Sequence, residues 1–454
     1  MQKPILAKGT RDFNSEDLYK RNYIINIIRD NFSKFGFNPI ETPSFERSET
    51  LLGKYGQEGE RLIFKILKSG DFLKGVDGKD FEYSNLAPKI VDKALRYDLT
   101  VPFARYVVQN QNNINIPFKR YQIQNVWRAD RPQKGRYREF LQCDADVIGS
   151  KSIIQEIDFI CLFDSVFTDL NLEGCKIKIN SRKLLVAICE INDCLDKFGI
   201  LTNQLDKLDK TDINVVKNNL IENGFDKKII DSLFEVIELS KNFNENLDEI
   251  KLYFKSSKIG LEAISDIQYI FSYFSKNKLI KSNLVFDIGL ARGIDYYTGV
   301  IFEVLPPKTI SLGSIAGGGR YDNLTEIFGL KNMSGIGISF GLDRLFLVID
   351  ELKLFPTTSY NSVKVLILNF GVSFSYDLIE IANFLRSNKV NAEFYPDPIS
   401  VKKQLNYANK NDIPYVIFYG DEEKEKNCFN LKDMKTGKQE IFDSEKLLKI
   451  LGKN

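Results

Sequence analysis

The sequence predicts an α+β chain in three parts: an antiparallel β-sheet core flanked by helices, a helical insertion within that core, and a C-terminal α/β domain. Three observations carry this. An amphipathic stretch near the start runs into short extended segments and then a hairpin with a basic tip. Residues 191–281 contain no proline and keep helical periodicity throughout. Beyond residue 361, strand-like and helix-like runs alternate. The length of 454 residues holds about three domains at roughly 150 residues each.

Taken in order, Asn14 to Phe35 carries Leu18, Ile24, Ile25, Ile28 and Phe32 at helical spacing, with Asn14 placed to cap, Asp17 three residues later and Gly36 as the stop. The proline-bearing FNPIETPSFE that follows is extended. In FKRYQIQNVWRADRPQKGRYREFLQCDADVIG, from Phe118 to Gly149, strands flank a turn supplied by Pro132 and Gly135. Residues 191–281 read as a self-contained helical insertion. The β region resumes with LVFDIGLARGIDYYTGVIFEV and GSIAGGGRYDNL and ends in SGIGISFGLDRLFLVIDEL, where strand becomes helix. These features divide the chain into 1–190 with 282–355, 191–281, and, after a break at Phe355 to Asn361, a small parallel α/β unit over 362–454.

Composition excludes a good deal. The 63 basic and 61 acidic residues leave a net charge of +2, so any anion-binding patch must be local. Six cysteines without a C-x-x-C pair give neither a zinc ribbon nor a disulfide framework, and fit a reducing cytoplasm. No secretory h-region opens the chain, and no run of eighteen uncharged apolar residues occurs; no membrane span is expected. Histidine is absent, which removes Ser-His-Asp and Cys-His hydrolysis and H-E-x-x-H zinc sites. Carboxylates, arginines, tyrosines, a metal ion or the substrate must do any chemistry.

Four clusters are candidates. Arg128, Arg131, Lys134, Arg136 and Arg138 fall within eleven positions, and guanidinium forks suit polyphosphate. A solvated basic turn is the plain alternative, but Arg128 lies beside Trp127 in an otherwise apolar strand, where burial demands an anionic partner. Asp98, Thr100, Gln142, Asp144 and Asp146 lie on segments of strand character, the last three on one face by alternation; they suit an ammonium ligand, or equally a strand with its polar face in water. Around Arg292-Gly-Ile-Asp-Tyr296-Tyr297 and Gly317-Gly-Gly-Arg320-Tyr321-Asp322, glycines allow close approach to the backbone, while Tyr and Arg bind carboxylates or ring nitrogens. Gly335-Ile-Gly337-Ile-Ser339-Phe-Gly341-Leu-Asp343-Arg344 ends in an arginine at a strand-to-helix junction where a flat ring can stack, and it is neither a Rossmann fingerprint nor a P-loop.

Ordered together, these blocks resemble a class II aminoacyl-tRNA synthetase. Motif 1 lies in Gly36 to Pro43, motif 2 runs from Arg128 to Arg136-x-x-x-Phe140, and motif 3 ends at Arg344. LRYDLTVPFARY (Leu95 to Tyr106), RADRPQKGRYREFLQCDADVIG and above all LARGIDYYTGVIFEV (Leu290 to Val304) narrow the resemblance to the histidyl-tRNA synthetase family, in wording closer to its eukaryote-like branch. Asp130 and Asp343 stand where the class usually has Glu; both keep the carboxylate.

The resemblance implies activation of L-histidine by ATP, with Mg2+ accompanying the nucleotide and no zinc, followed by transfer to the 3′ end of histidine tRNA. It implies Arg128 on the α-phosphate, Arg136 on the terminal phosphates, Arg344 over adenine and the γ-phosphate side, and Arg292 as the catalytic arginine bridging substrate carboxylate and α-phosphate. It places Asp98, Thr100 and Gln142 at the α-amino group, Asp146 and Tyr297 at the imidazole with Tyr296 and Tyr321 completing the pocket, and Arg131 and Gln133 at the tRNA acceptor end. A homodimer through motif 1 and anticodon binding by residues 362–454 also follow from it. The rival from another class of function is the catalytically inactive, synthetase-like regulatory subunit of histidine biosynthesis, which generally lacks the C-terminal domain and erodes the arginines. Synthetases for threonine, proline or glycine lack the Arg-Gly-Ile-Asp-Tyr-Tyr block.

Overall fold

A computed structural model describes residues 3–208, 211–291, 296–356 and 362–452, without the side chains of residues 56–58 and 79. Contacts divide the chain into two compact units, Met1–Asp12 with Lys20–Phe355, and Phe13–Tyr19 with Pro356–Asn454.

Helix α1 (Ser15–Lys34) starts and stops as its sequence requires. Asn14 Oδ1 accepts from Asp17 N at 2.8 Å, Asp17 Oδ2 accepts from Asn14 N at 3.3 Å, and Gly36 leaves the helix at φ +78°. Ile24, Ile28 and Phe32 are fully buried, whereas Leu18, one of the expected apolar positions, is 46% exposed.

The first unit is built on eight strands: β1 (Asn38–Pro39), β2 (Phe118–Trp127), β3 (Glu139–Ile148), β4 (Cys175–Ser181), β5 (Ser282–Phe286), β6 (Val300–Leu305), β7 (Ala316–Tyr321) and β8 (Gly335–Gly341). Their order is β1-β2-β3-β8-β7-β6-β4-β5, antiparallel except at the two edge pairs. One face carries Cys143, Ala145, Val147 and Phe340 and packs against α1 and α3 (Ile154–Asp169). There Phe163 meets Phe340 edge-on with centroids 5.4 Å apart. Gly135, at φ +72°, closes the β2–β3 hairpin, and Arg136 N donates to Gln133 O at 2.9 Å.

Helices occupy most of 195–276, ending with Lys258–Lys276. Their apolar residues, among them Leu201, Leu220, Phe234 and Ile267, join the same buried cluster as the sheet rather than closing a core of their own. A three-stranded sheet of Phe45–Arg47, Val91–Leu95 and Lys65–Leu67 follows, its first strand beginning in the segment expected to be extended and the rest lying where the sequence predicts no element.

In the second unit, Ala392–Phe394, Val365–Ile367 and Tyr415–Phe418 pair in parallel, as the alternation predicts. The sheet is nevertheless mixed, because Phe429–Asp433 and Gln439–Phe442 add an antiparallel hairpin. Its turn is local chemistry: Asp433 Oδ1 accepts from Lys435 N and Thr436 N at 2.9 and 2.8 Å, and Gly437 takes φ +74°. Among the described residues no helix is long and apolar enough to cross a membrane.

Candidate active site

The sheet face turned away from α1 and α3 carries the polar residues. Gln122, Asp144, Ser339 and Gly317 are successive cross-strand partners, as are Arg120, Asp146, Gly337 and Gly319. Directly opposed residues share a face, so two polar rows cross β2, β3, β8 and β7. Over them lies a cavity of about 260 Å³. The alternative of a polar face in water fails, since Gln142, Asp144 and Asp146 are 9%, 2% and 2% exposed.

Ten residues to which the family resemblance gives a role line this one cavity, namely Asp98, Thr100, Arg128, Arg136, Gln142, Asp146, Tyr296, Tyr297, Tyr321 and Arg344, and Asp144 of the acidic cluster lines it with them. Arg292 lies outside the described residues. Arg131 and Gln133 sit exposed at the hairpin tip, away from the cavity lining. Asp98 and Thr100 are not on a strand as expected. Thr100 opens helix α2 (Thr100–Gln109), and Asp98 Oδ1 accepts from Val101 N at 3.2 Å, so the short acid caps a helix start. Arg320 turns away from the cavity and is paired with the fully buried Glu156 at 2.5 and 2.7 Å, because alternation along β7 puts it on the face opposite Tyr321's neighbours.

Asp98 also accepts from Tyr55 Oη at 2.7 Å and Tyr296 Oη at 3.2 Å. Asp146 accepts from Tyr321 Oη at 2.7 Å, and its other oxygen lies 2.7 Å from the Arg120 guanidinium, which is fully buried over the Phe103 ring. Burial raises the pKa of all three acids above the usual carboxylate range, with Asp144 pushed up to about 7. Tyr hydroxyls and Arg128 oppose this at Asp98; at Asp144 and Asp146 the main opposing charge is Arg120. Burial also lifts the phenols Tyr55, Tyr296, Tyr297 and Tyr321, which stay neutral donors.

Two glycines of the Gly335–Gly341 strand make room for protein groups. A Cβ at Gly337 would lie 1.9 Å from Asp146 Oδ1, and one at Gly335 would lie 2.2 Å from the Tyr321 ring. Gly317 and Gly318 border the cavity itself.

The arginines are held by backbone and rings. Arg128 donates from Nε to Tyr97 O at 3.0 Å, with Tyr97 and Phe140 rings 4.3 and 5.2 Å from its guanidinium carbon. Arg344, in the first turn of the helix Leu342–Glu351, donates to Gly135 O at 3.2 Å and Ser314 O at 2.6 Å, fastening hairpin to helix. Arg136 pairs with Asp130 at 3.2 Å. Asp343 is buried beneath Arg11 and Arg21, both at 2.5 Å; Arg11 also lies 3.3 Å from the Tyr137 ring, and Gly9 O accepts from Arg138 N at 2.9 Å.

Cationic groups able to grip phosphates and buried acids able to take N–H donors thus share one cleft. Residues 87–345 match the family described as Histidyl-tRNA synthetase. The chain belongs to the histidyl-tRNA synthetase family. Residues 363–454 match the family described as Anticodon binding domain. The chain is 52% identical to the histidine–tRNA ligase of Christiangramia forsetii, over 97% of this chain and 98% of that one, and 48% identical to that of Flavobacterium johnsoniae, over 99% of both. Its fold is similar to the crystal structure of histidyl-tRNA synthetase from Nostoc sp., with TM-score 0.81 at 24% identity, covering 100% of this chain and 99% of that one. It is also similar to an ATP phosphoribosyltransferase regulatory subunit/histidyl-tRNA synthetase from Bacillus halodurans, with TM-score 0.70 at 18% identity over 92% and 98% of the two chains. These two likenesses concern the fold alone.

Sequence reasoning missed Tyr55, Arg120 and Arg11. Arg120 carried no local signal, since it sits between Lys119 and Tyr121 in a strand that also holds Gln122 and Gln124.

Proposed function

We propose that the chain is a histidine–tRNA ligase: it activates L-histidine with ATP to histidyl-adenylate and pyrophosphate, then transfers histidine to the 3′ end of its tRNA. The observation that supports this best is a single cavity lined both by Arg128, Arg136 and Arg344 and by buried acids and phenols. In activation a substrate carboxylate oxygen bonds to the α-phosphorus while the bond to pyrophosphate breaks. Negative charge gathers on the α-phosphate oxygens, and guanidinium groups fixed beforehand stabilise it without reorganising. Arg128 takes the α-phosphate, Arg136 the terminal phosphates, and Arg344 the adenine and γ-phosphate side. Arg292 bridges carboxylate and α-phosphate, a role carried by its place in the family motif. Holding both anions in line lowers the entropic part of the barrier.

At the amino-acid side, Asp98, Thr100 and Gln142 serve the α-amino group, Asp146 and Tyr297 the two imidazole nitrogens, and Tyr296 and Tyr321 close the pocket. A neutral imidazole offers one donor and one acceptor, and an apolar analogue would leave Asp146 buried without its ligand donor. Mg2+ enters as part of the MgATP substrate. Arg131 and Gln133 meet the tRNA acceptor end, residues 362–454 bind the anticodon, motif 1 joins two copies as a C2 homodimer, and the enzyme works in the cytoplasm. On this reading the catalytic domain is 1–190 with 282–355, and 191–281 is an insertion. The regulatory alternative is disfavoured by the near full-length identity to relatives named as ligases. Amino-acid-dependent exchange of pyrophosphate into ATP, run with all twenty amino acids, tests the proposal. Exchange with histidine alone, largely lost in Arg292→Ala, is expected; no exchange with any amino acid would revive the regulatory reading.

A further inference from the structure

A second concavity, of about 1040 Å³, is bordered by the three-stranded sheet of Phe45–Arg47, Val91–Leu95 and Lys65–Leu67 and by the helix Tyr83–Ile90, and its lining shares no residue with the active-site cavity. Five cations line it: Arg47, Arg61, Lys65, Lys68 and Lys93. Three acids line it too, and each is already engaged. Glu49 pairs with Arg47 at 3.1 Å, Asp92 pairs with Lys93 at 3.4 Å, and Glu60 Oε1 accepts from Gly53 N at 2.8 Å. Both ion pairs are exposed and contribute little. Arg61, Lys65 and Lys68 therefore have no carboxylate partner among the described residues; the two half-buried lysines donate to the backbone carbonyls of Glu60 and Lys89. The register adds a like-charge contact, since Arg47 and Lys93 are direct cross-strand partners, which is unfavourable until an anion lies against them.

The groove thus asks for an anion, and its layout and position say which. Lys65 and Lys68 are three residues of extended chain apart, about 10 Å, more than one phosphate group spans, so a run of phosphates fits better than a single one. Tyr83 is 72% exposed with its ring 6.0 Å from Lys65 Nζ, and an exposed phenol beside cations is a surface on which an unpaired base stacks. Leu62 O accepts from Ala129 N at 2.8 Å, which fastens the wall that carries Arg61 and Lys65 to the foot of the β2–β3 hairpin, next to Arg128. The tip of that hairpin holds Arg131 and Gln133, the residues assigned above to the tRNA acceptor end. We propose that this groove binds the sugar-phosphate backbone of the tRNA acceptor arm, with Arg61, Lys65 and Lys68 on phosphates and Tyr83 against a base. The inference rests on the reading of the chain as a tRNA ligase. These cations serve the transfer of the amino acid to tRNA and not its activation, because they lie outside the cavity that takes ATP and histidine.

Binding of a histidine tRNA transcript, its acceptor-arm minihelix and its anticodon stem-loop to the full chain over a range of salt concentrations tests this on wild type and on the double variant Lys65→Gln, Lys68→Gln. The variant is expected to bind tRNA and minihelix on the order of tenfold more weakly, with the slope of log affinity against log salt shallower by about 1 to 2 and the stem-loop unaffected. In aminoacylation the tRNA KM should rise on the order of tenfold, while histidine-dependent pyrophosphate exchange stays within about twofold of wild type. Unchanged affinity for the minihelix, or an equal loss for all three RNAs, would overturn the assignment while leaving the activation reaction standing. A variant that sediments as a monomer where the wild type is a dimer would overturn it in favour of an interface between copies. A wild type with neither pyrophosphate exchange nor affinity for tRNA would overturn both the groove and the ligase reading. If the double variant melts below wild type, Arg61→Gln, on an exposed side chain, is read against the same outcomes.

Discussion

Asp144 should make the ligand-free protein less stable than it need be. Its carboxyl is pushed up to about 7, from an ordinary value of 3.8, first by burial, with Arg120 opposing and Asp146 adding to the rise. A difference of about 3 units at about 1.4 kcal/mol each is a cost of about 4 kcal/mol when the group is ionised in both states. The sign follows from the direction. An acid whose folded value is raised holds its proton more tightly when folded, so the penalty is full above pH 7 and fades as pH falls toward 3.8. Asp144→Asn removes the charge and keeps the shape, so it should stabilise the ligand-free protein by about 4 kcal/mol at pH 8 and about 2 kcal/mol at pH 5. At roughly 2 °C per kcal/mol for a unit of this size, the melting temperature should rise by about 8 °C at pH 8 and about half that at pH 5. A variant that melts lower than wild type at pH 8, or by an equal shift at both pH values, would refute the reasoning.

Three further outcomes follow from the same contacts. Arg120→Met removes the guanidinium 2.7 Å from Asp146 and should cost about 3–5 kcal/mol, most at pH 8 and less at pH 5, where the stranded acid takes up a proton; melting at the two pH values checks it. In Gly337→Ala the new methyl falls within 1.9 Å of Asp146 Oδ1, so histidine affinity should drop at least about tenfold while the ATP KM in the exchange assay changes little. Arg11→Ala leaves Asp343 to Arg21 alone and uncovers Tyr137 beside the arginines Arg344 and Arg136; the ATP KM should rise about tenfold with the histidine KM nearly unchanged, and Arg11→Lys should recover part of it.

How much of this was legible depended on whether the information was local. The α1 helix, the hairpin turn at Gly135 and the strand-to-helix junction at Arg344 follow from periodicity, capping and turn chemistry, each confined to a few neighbouring residues. The convergence of Asp98, Gln142, Tyr296, Tyr321 and the arginines on one cleft was carried by motif resemblance, since no spacing rule relates residues 98, 142 and 321. The antiparallel hairpin at Phe429–Asp433 was lost because its strands are short and its outer one, Gln439–Phe442, is mostly exposed, leaving little apolar alternation to read.

The sharper failures concern pairing across strands. Gly337 lines the cavity, but the register also sets Gly335 and Gly337 beside Tyr321 and Asp146, so the missing side chains admit the protein's own phenol and carboxylate, which no local pattern shows. Arg120 and Asp146 are 26 positions apart and become direct partners only when β2 and β3 pair. A one-residue slip would turn Arg120 into the helix-packed face and leave Asp146 without a counter-charge, so the register that builds the sheet also decides which acid is neutralised. Arg120 thus faces Asp146 while the phenols face Asp98, a division of partners that the sequence alone, with three acids of equal standing, had no means of showing.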